Sequence, residues 1–323
     1  MEPDPLNGVY VYLDIVGDFV CQQCGVCCNN DWLVTVDEAG YRRNHDLFAA
    51  MGMEPEFRQA FYRLGKDADY GEFAGIAKKE VGGCWFLTGE NLCRLQRLAG
   101  HAHLDTVCQW FPRYPMDTER GVEVSLSFSC PAALQLALRE EPLQVLRSEQ
   151  SPLAMTPPDF VTYVYPGQKP DTQAMHYYFA IEGHLIDVLQ SRRISLQNRL
   201  GIVFRSLECL AGFEESETMA EQIHRLFREN YERIDAGPTV DAAENQPVGW
   251  LVENWFVNFF FRKHLYNQGA AATLEQVRAM QERLRAAQKE ENDHRPEDGA
   301  VFESIVQLEM EYNHRSGKNN QRK

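Results

Sequence analysis

The chain has 323 residues, with 47 acidic against 32 basic side chains and a formal net charge of −15. Such a length suits one large domain or two ordinary ones, and it can bury a core without disulfide staples. The acidic balance argues against a duplex nucleic-acid binder, which needs a basic face; it suits a basic partner such as a lysine-bearing protein surface, or simply an acidic surface that keeps the protein in solution.

The first residues, Met1-Glu2-Pro3-Asp4, carry no basic segment. The apolar stretch Gly8 to Val20 is interrupted by Asp14 and Asp18, so no signal peptide is expected. No apolar run reaches the roughly 18 residues of a membrane span. The expectation is a cytoplasmic protein with reduced thiols.

Tyr10-Val11-Tyr12-Leu13 reads as a short strand. Asp37 precedes Glu38-Ala39 as an N-cap, which predicts a helix through about Met51. Val122 to Phe128 alternates, with Val122, Val124, Leu126 and Phe128 on one face, and delivers the chain to Cys130. Pro131 then opens a predicted helix over Ala132 to Glu140.

Five prolines between residues 151 and 170 predict an extended connector. Beyond it the pattern is helical: His176 to Ser191, a helix capped by Ser195 through Leu210, Glu217 to Arg233, Val248 to Leu265, Thr273 to Asn292 and Val301 to Arg315. Residues 235–246 read as a loop. The helix over Val248 to Leu265 holds Trp250, Trp255, Phe256, Phe259, Phe260 and Phe261, so it is expected at the centre. The fold class expected is mainly α, a cysteine-rich N-terminal part (1–150) with a few short strands packed on a C-terminal helical bundle (151–315). A disordered tail is expected over 316–323.

Eight of the nine cysteines fall between residues 21 and 130, four of them in the hook Cys21, Cys24, Cys27 and Cys28. Cys84, Cys93, Cys108 and Cys130 follow. Thiolates at this density select soft cations, either zinc or an iron–sulfur cluster. A CxxCxxC turn gathers Cys21, Cys24 and Cys27, while adjacent Cys28 is expected to point elsewhere. The fourth ligand comes from Cys28 or from the distant set; a second site can use Cys84, Cys93, Cys108 and Cys130. The triple hook followed by single cysteines favours a [4Fe–4S] cluster, with zinc as the alternative. Cys209, between apolar helix residues, reads as a small buried hydrophobe.

These segments resemble known families. Cys21 to Cys28 is similar to the CxxCxxCC signature of the YkgJ-type cysteine-cluster family, described as zinc- or iron-chelating. A closer resemblance is to the flagellin lysine N-methylase (FliB) family. It rests on Cys84-Trp85-Phe86-Leu87, Leu92-Cys93-Arg94-Leu95-Gln96, Gly100, Leu104 to Cys108, Phe111-Pro112-Arg113 and Leu126 to Ala133. Further similar stretches are Cys27-Cys28 with Trp32 and Val36 to Tyr41, Leu189 to Arg192 with Ser195 to Leu200, Glu253 to Asn258, and Val306 to Leu308 with His314. Ala132-Ala133 stands where that family often has Glu-Ala, and the gap from Cys28 to Trp32 is one residue longer than its pattern.

The resemblance implies methyl transfer from S-adenosylmethionine to a lysine ε-amine of a protein substrate such as flagellin. No Gly-x-Gly-x-Gly loop follows a strand, so the usual Rossmann cofactor site is absent from the sequence. The cysteine block is then the expected anchor for S-adenosylmethionine, with the bundle shaping a lysine channel. Tyr41 is put forward as catalytic proton acceptor, beside Asp37, His101 and His103; each has a structural reading too. The two histidines can alternatively be zinc ligands or part of an exposed loop. Arg113 is put forward for a cofactor carboxylate, against an ordinary salt bridge. Asn254 and Asn258, four apart on one helix face, are expected to brace the domain interface rather than line a pocket. Two competing readings are a non-catalytic zinc- or iron-binding protein and an electron carrier, which gives the helical half no use.

Overall fold

The computed structural model describes residues 9–65, 68, 71–152, 162–239, 247–290 and 299–313. Among them 55% are helical and 13% strand, so the chain is mainly α. No described helix is long and apolar enough to cross a membrane. Part of the expected connector (153–161), most of the loop before residue 247 and the tail 316–323 lie outside the described residues.

The chain forms two compact units, 1–19, 113–128 and 133–308 in one, 20–112, 129–132 and 309–323 in the other. This differs from a boundary at residue 150. Composition follows the cysteines, whereas compactness follows strand pairing, and β1 (Tyr10–Leu13) pairs with strands more than a hundred residues away.

The cysteine-rich unit holds β2 (Thr35–Val36), α1 (Glu38–Ala50), α2 (Glu54–Ala60), β3 (Phe61–Arg63), β4 (Ala74–Ile76), α3 (Arg94–Ala99) and α4 (Thr106–Trp110). Asp37 caps α1, its carboxylate accepting from the Gly40 N–H. Helix α1 ends at Ala50, one residue before the expected Met51. The strands form an antiparallel sheet in the order β2-β4-β3. Phe48, Phe57, Phe61 and Phe86 pack edge and face against one another above it, with ring centroids 4.9 to 6.4 Å apart. Aromatic contacts of this kind add to the burial of their area.

The other unit holds β1, β5 (Arg113–Thr118), β6 (Gly121–Leu126), β7 (Val145–Ser148) and β8 (Tyr163–Val164), in the order β7-β1-β6-β5-β8. β5 and β6 form a hairpin, while β1 runs parallel to β6 and antiparallel to β7. Every residue of β6 is buried, so both faces are covered and not only the face of Val122, Val124 and Leu126. The short α5 (Pro131–Gln135) stops well before Glu140. Its continuation tightens into i to i+3 bonds at Leu136, Ala137 and Leu138, and Asn254 takes up the Ala137 carbonyl at 2.9 Å.

The helices α6 (Tyr178–Gln190), α7 (Leu196–Gly212), α8 (Met219–Ala236), α9 (Pro247–Phe261), α10 (His264–Glu290) and α11 (Ala300–Asn313) complete the order. Ser195 caps α7 by accepting from the Asn198 N–H at 3.3 Å. Residues Leu251 to Phe261 of α9 are all buried, which makes it the central helix. It is shorter than the apolar pattern predicts, because Lys263 turns the chain with φ of 67° and a new helix begins at His264. Helix α10 in turn bends at Gly269, whose φ is 81°.

Lys263 is completely buried, its Nζ 2.6 Å from Glu123 Oε2 and 2.5 Å from Glu182 Oε2. Arg120 bonds the same two carboxylates at 2.7 to 2.9 Å, and the Tyr178 hydroxyl donates to Glu182 at 3.1 Å. Burial raises the Glu182 carboxyl, while Lys263 and Arg120 outweigh burial at Glu123 and hold it low. Asn254 accepts from the Leu143 N–H and Asn258 donates to the Leu126 carbonyl, so both amides act as braces.

Candidate metal centre

The hook from Cys21 to Cys28 turns tightly because Gln23 and Gly25 both adopt positive φ, 55° and 74°. Gly25 suits that conformation and also lies against a second loop: a Cβ there would sit 2.9 Å from the Asn91 Cβ. Cys28 and Asn29 donate their N–H groups to the Gly25 carbonyl. The Asn30 side chain closes the turn, donating to the Val26 and Cys27 carbonyls at 2.9 Å each. Cys21 and Cys24 stay exposed on this loop. The Cys27 and Cys28 sulfurs lie 3.9 Å apart, so Cys28 does not turn away from its neighbour as the sequence suggested.

Backbone pairing brings the distant cysteines to Cys28. The Cys84 N–H donates to the Cys28 carbonyl at 2.6 Å. Leu87 pairs with Cys93, and the Arg94 N–H donates to the Phe86 carbonyl, which folds the 84–94 loop back on itself. Cys93 stands at the N-cap position of α3, and Cys108 lies in the one-turn helix α4. Cys28, Cys84, Cys93 and Cys108 all pack against the aromatic core of this unit.

These four thiols lie within electrostatic reach of one another. Burial pushes Cys84 up to about 11, and the neighbouring Cys28 and Cys93 add to the rise. Burial raises Cys93 as well, against backbone N–H groups of Gln96 and Leu95 that favour its thiolate. Cys108 is raised well above the ordinary thiol value by burial and then by Cys84 and Cys28. Cys28 is raised by its contact with Cys27 and by burial. Without a cation the group therefore holds its protons; a soft cation would favour the thiolates instead.

Sequence reasoning missed Lys78, which pairs with Cys84 as a β-bridge and faces this group. Its Nζ is enclosed with no hydrogen-bond partner among the described residues. Burial lowers its pKa, while Cys84, Cys28, Asp31 and Cys108 pull it back up. An enclosed ammonium facing three of these thiols and Asp31 matches a centre carrying net negative charge, as tetrathiolate zinc and cysteine-bound iron–sulfur clusters do. The donor set fits either group. Among the described residues, however, no three His, Cys, Asp or Glu side chains converge to the spacing of a finished coordination shell.

The remaining candidates have other surroundings. Tyr41 packs its ring among Phe57, Phe61 and Phe73 at 5.0 to 6.2 Å. Asp37 is the α1 cap. His101 is exposed; His103 is half-buried, with Nε2 enclosed and without a partner among the described residues. Burial and then Arg43 hold the His103 imidazole below its usual pKa. Cys130 is buried in the 129–132 segment of the same unit. Arg113 belongs to the other unit, where it donates to the Phe19 carbonyl at 3.3 Å and lies over the Phe19 ring. Cys209 is half-buried in α7 rather than fully enclosed. All nine cysteines are free thiols. Comparison with protein-family models, with curated proteins and with solved structures found no match to this chain.

Proposed function

We propose that the chain is a protein-lysine N-methyltransferase that takes its methyl group from S-adenosylmethionine and carries a cysteine-bound [4Fe–4S] cluster. The observation that supports this best is the gathering of Cys28, Cys84, Cys93 and Cys108, with the partnerless Lys78 ammonium beside Cys28, Cys84 and Cys108, in stretches that resemble the flagellin lysine methylases. Those thiolates would hold the cluster, with Lys78 offsetting its charge. A cluster held by three of these four thiolates would leave one iron open to the amino and carboxylate groups of a methionine moiety. The surplus of acidic residues over basic ones favours encounter with a lysine-bearing protein.

The transfer itself is a displacement. The lone pair of a neutral lysine amine forms the new N–C bond, the C–S bond of the sulfonium breaks, and S-adenosylhomocysteine leaves. The nitrogen must also release a proton. Of the four residues weighed as acceptors, His103 suits this best: its imidazole is neutral near pH 7 and its enclosed Nε2 has no partner among the described residues. Tyr41 is committed to the aromatic core.

A second reading, a non-catalytic zinc- or iron-binding protein, is favoured by the structural employment of Tyr41 and Asp37. Incubation of metal-loaded protein with S-adenosylmethionine and flagellin separates the two. The methylase reading expects methyl-lysine by mass spectrometry. It also expects a rate loss of roughly 100-fold in His103→Gln at unchanged metal content, and little loss in Tyr41→Phe. Absence of methyl-lysine with the centre fully loaded rejects the enzyme reading for that substrate.

A further inference from the structure

A cleft of about 530 Å³ lies in the helical unit, framed by α7, the C-terminal end of α8 and α10. It uses none of the clustered cysteines. Its size falls within the range of small-molecule sites. Its walls carry three arginines, Arg205, Arg233 and Arg285, and no acidic side chain. That is unusual in a chain with fifteen more negative than positive charges, most of whose buried cations are paired.

The three guanidiniums differ in how far they are satisfied. Arg205 pairs with Glu229 through Nη2 at 3.2 Å, while its Nε is enclosed with no partner among the described residues. The Arg233 and Arg285 side chains form no ion pair or hydrogen bond among the described residues, and both are exposed. By contrast Arg193 and Arg278, on the same helical surface, are paired with Asp235 and Glu208. Like charges placed together repel, and the guanidinium fork binds phosphate oxygens in pairs. Two exposed forks without an ion pair at one cleft leave their donors open to an incoming anion.

The rest of the lining is not that of a bare anion site. Phe204 is half-buried, and Ile194 and Ile202 supply an apolar wall. Asn198 and Gln281 offer amides that can both donate and accept. Gly201 lies in the interior of α7, where glycine costs about 1 kcal/mol relative to alanine. A Cβ at that position would meet nothing within 4 Å, so the missing side chain leaves room in the cleft.

We propose that this cleft binds a nucleotide-sized organic phosphate, its phosphates on Arg205, Arg233 and Arg285 and its base against Phe204 and the two amides. The test is isothermal titration calorimetry of the full-length, metal-loaded protein with adenosine diphosphate, beside adenosine, pyrophosphate and citrate. The expected result is saturable binding of adenosine diphosphate, with the other three each at least about tenfold weaker, since each lacks one half of the recognition. Gly201→Leu, which projects a side chain into the cleft from a Cβ that meets nothing within 4 Å, and Arg285→Glu should each weaken that binding about tenfold or more, with the circular dichroism spectrum and melting temperature retained. No heat with adenosine diphosphate, or binding untouched in Gly201→Leu, overturns the proposal. Pyrophosphate or citrate binding as tightly as adenosine diphosphate overturns the nucleotide assignment and leaves a general anion site.

Discussion

Gly40 and Gly201 both lie within helices, yet their surroundings predict opposite responses to the same substitution. A Cβ at Gly40 would fall 2.5 Å from the Asp105 Oδ1 and 3.1 Å from the Asp37 Oδ1. Asp105 is only 3% exposed and is held by Arg43 and Asn44, so it has little room to move. Gly40→Ala should therefore lower stability by about 1–3 kcal/mol, the usual cost of overpacking, despite the better helix propensity of alanine. Gly201→Ala, with open space around it, should raise stability by about 0.5–1 kcal/mol. Urea unfolding of both variants checks the pair; a Gly40→Ala protein no weaker than the parent would refute the packing described around Asp105. At this scale the sequence was informative where chemistry is local. Asp37 and Ser195 could be read as caps because a short oxygen-bearing side chain ahead of a helical pattern has few other uses. Lys78 could not be read in the same way, since nothing in its neighbours along the chain tells that Cys28, Cys84 and Cys108 lie beside it.

The elements divide along the same line. The apolar helix around Trp255 and the strand at Tyr10 to Leu13 were legible, because burial and periodicity are properties of a continuous stretch. The order β7-β1-β6-β5-β8 was not, because it depends on which distant strands meet. The break after α9 was equally hidden: Lys263 sits in a run whose pattern continues as helix, and it turns the chain in order to place its ammonium between Glu123 and Glu182. A left-handed backbone at a lysine is strained, so the buried charges must hold it there. Lys263→Met would leave two buried carboxylates with Arg120 as their one cation among the described residues, beside the Tyr178 and Thr118 hydroxyls. The expected loss is about 3–5 kcal/mol, the cost of breaking a buried ion pair from one side. Guanidinium unfolding measures it, and a loss below about 1 kcal/mol would mean that the network is dispensable.

For the whole molecule, the same burial that builds the helical core sets its response to acid. His184 is buried, stacked on Phe227 at 4.0 Å, and burial lowers it to about 4 despite Asp187. His264 is stacked on Phe259 at 4.5 Å, and burial with Arg262 lowers it to about 3. Both rings are neutral when folded, whereas the unfolded chain binds their protons below the ordinary value of 6.5. The unfolded state gains protons first, so stability is full above that value and is lost as pH falls toward about 4. The thermal midpoint should drop between pH 7.5 and pH 5, roughly a unit either side of the ordinary histidine value, and His264→Leu should reduce the drop. An equal drop in the variant would assign the acid response to other groups.

The cysteine centre is tested most directly by the iron, zinc and acid-labile sulfide content of protein purified without oxygen, measured on the parent and on Cys84→Ser. About four irons and four sulfides per chain in the parent, with both lost in Cys84→Ser, is the predicted result. Zinc without sulfide would transfer the centre to the non-catalytic reading. Metal absent from the parent, or iron and sulfide retained in full by Cys84→Ser, would contradict a cluster held by Cys28, Cys84, Cys93 and Cys108.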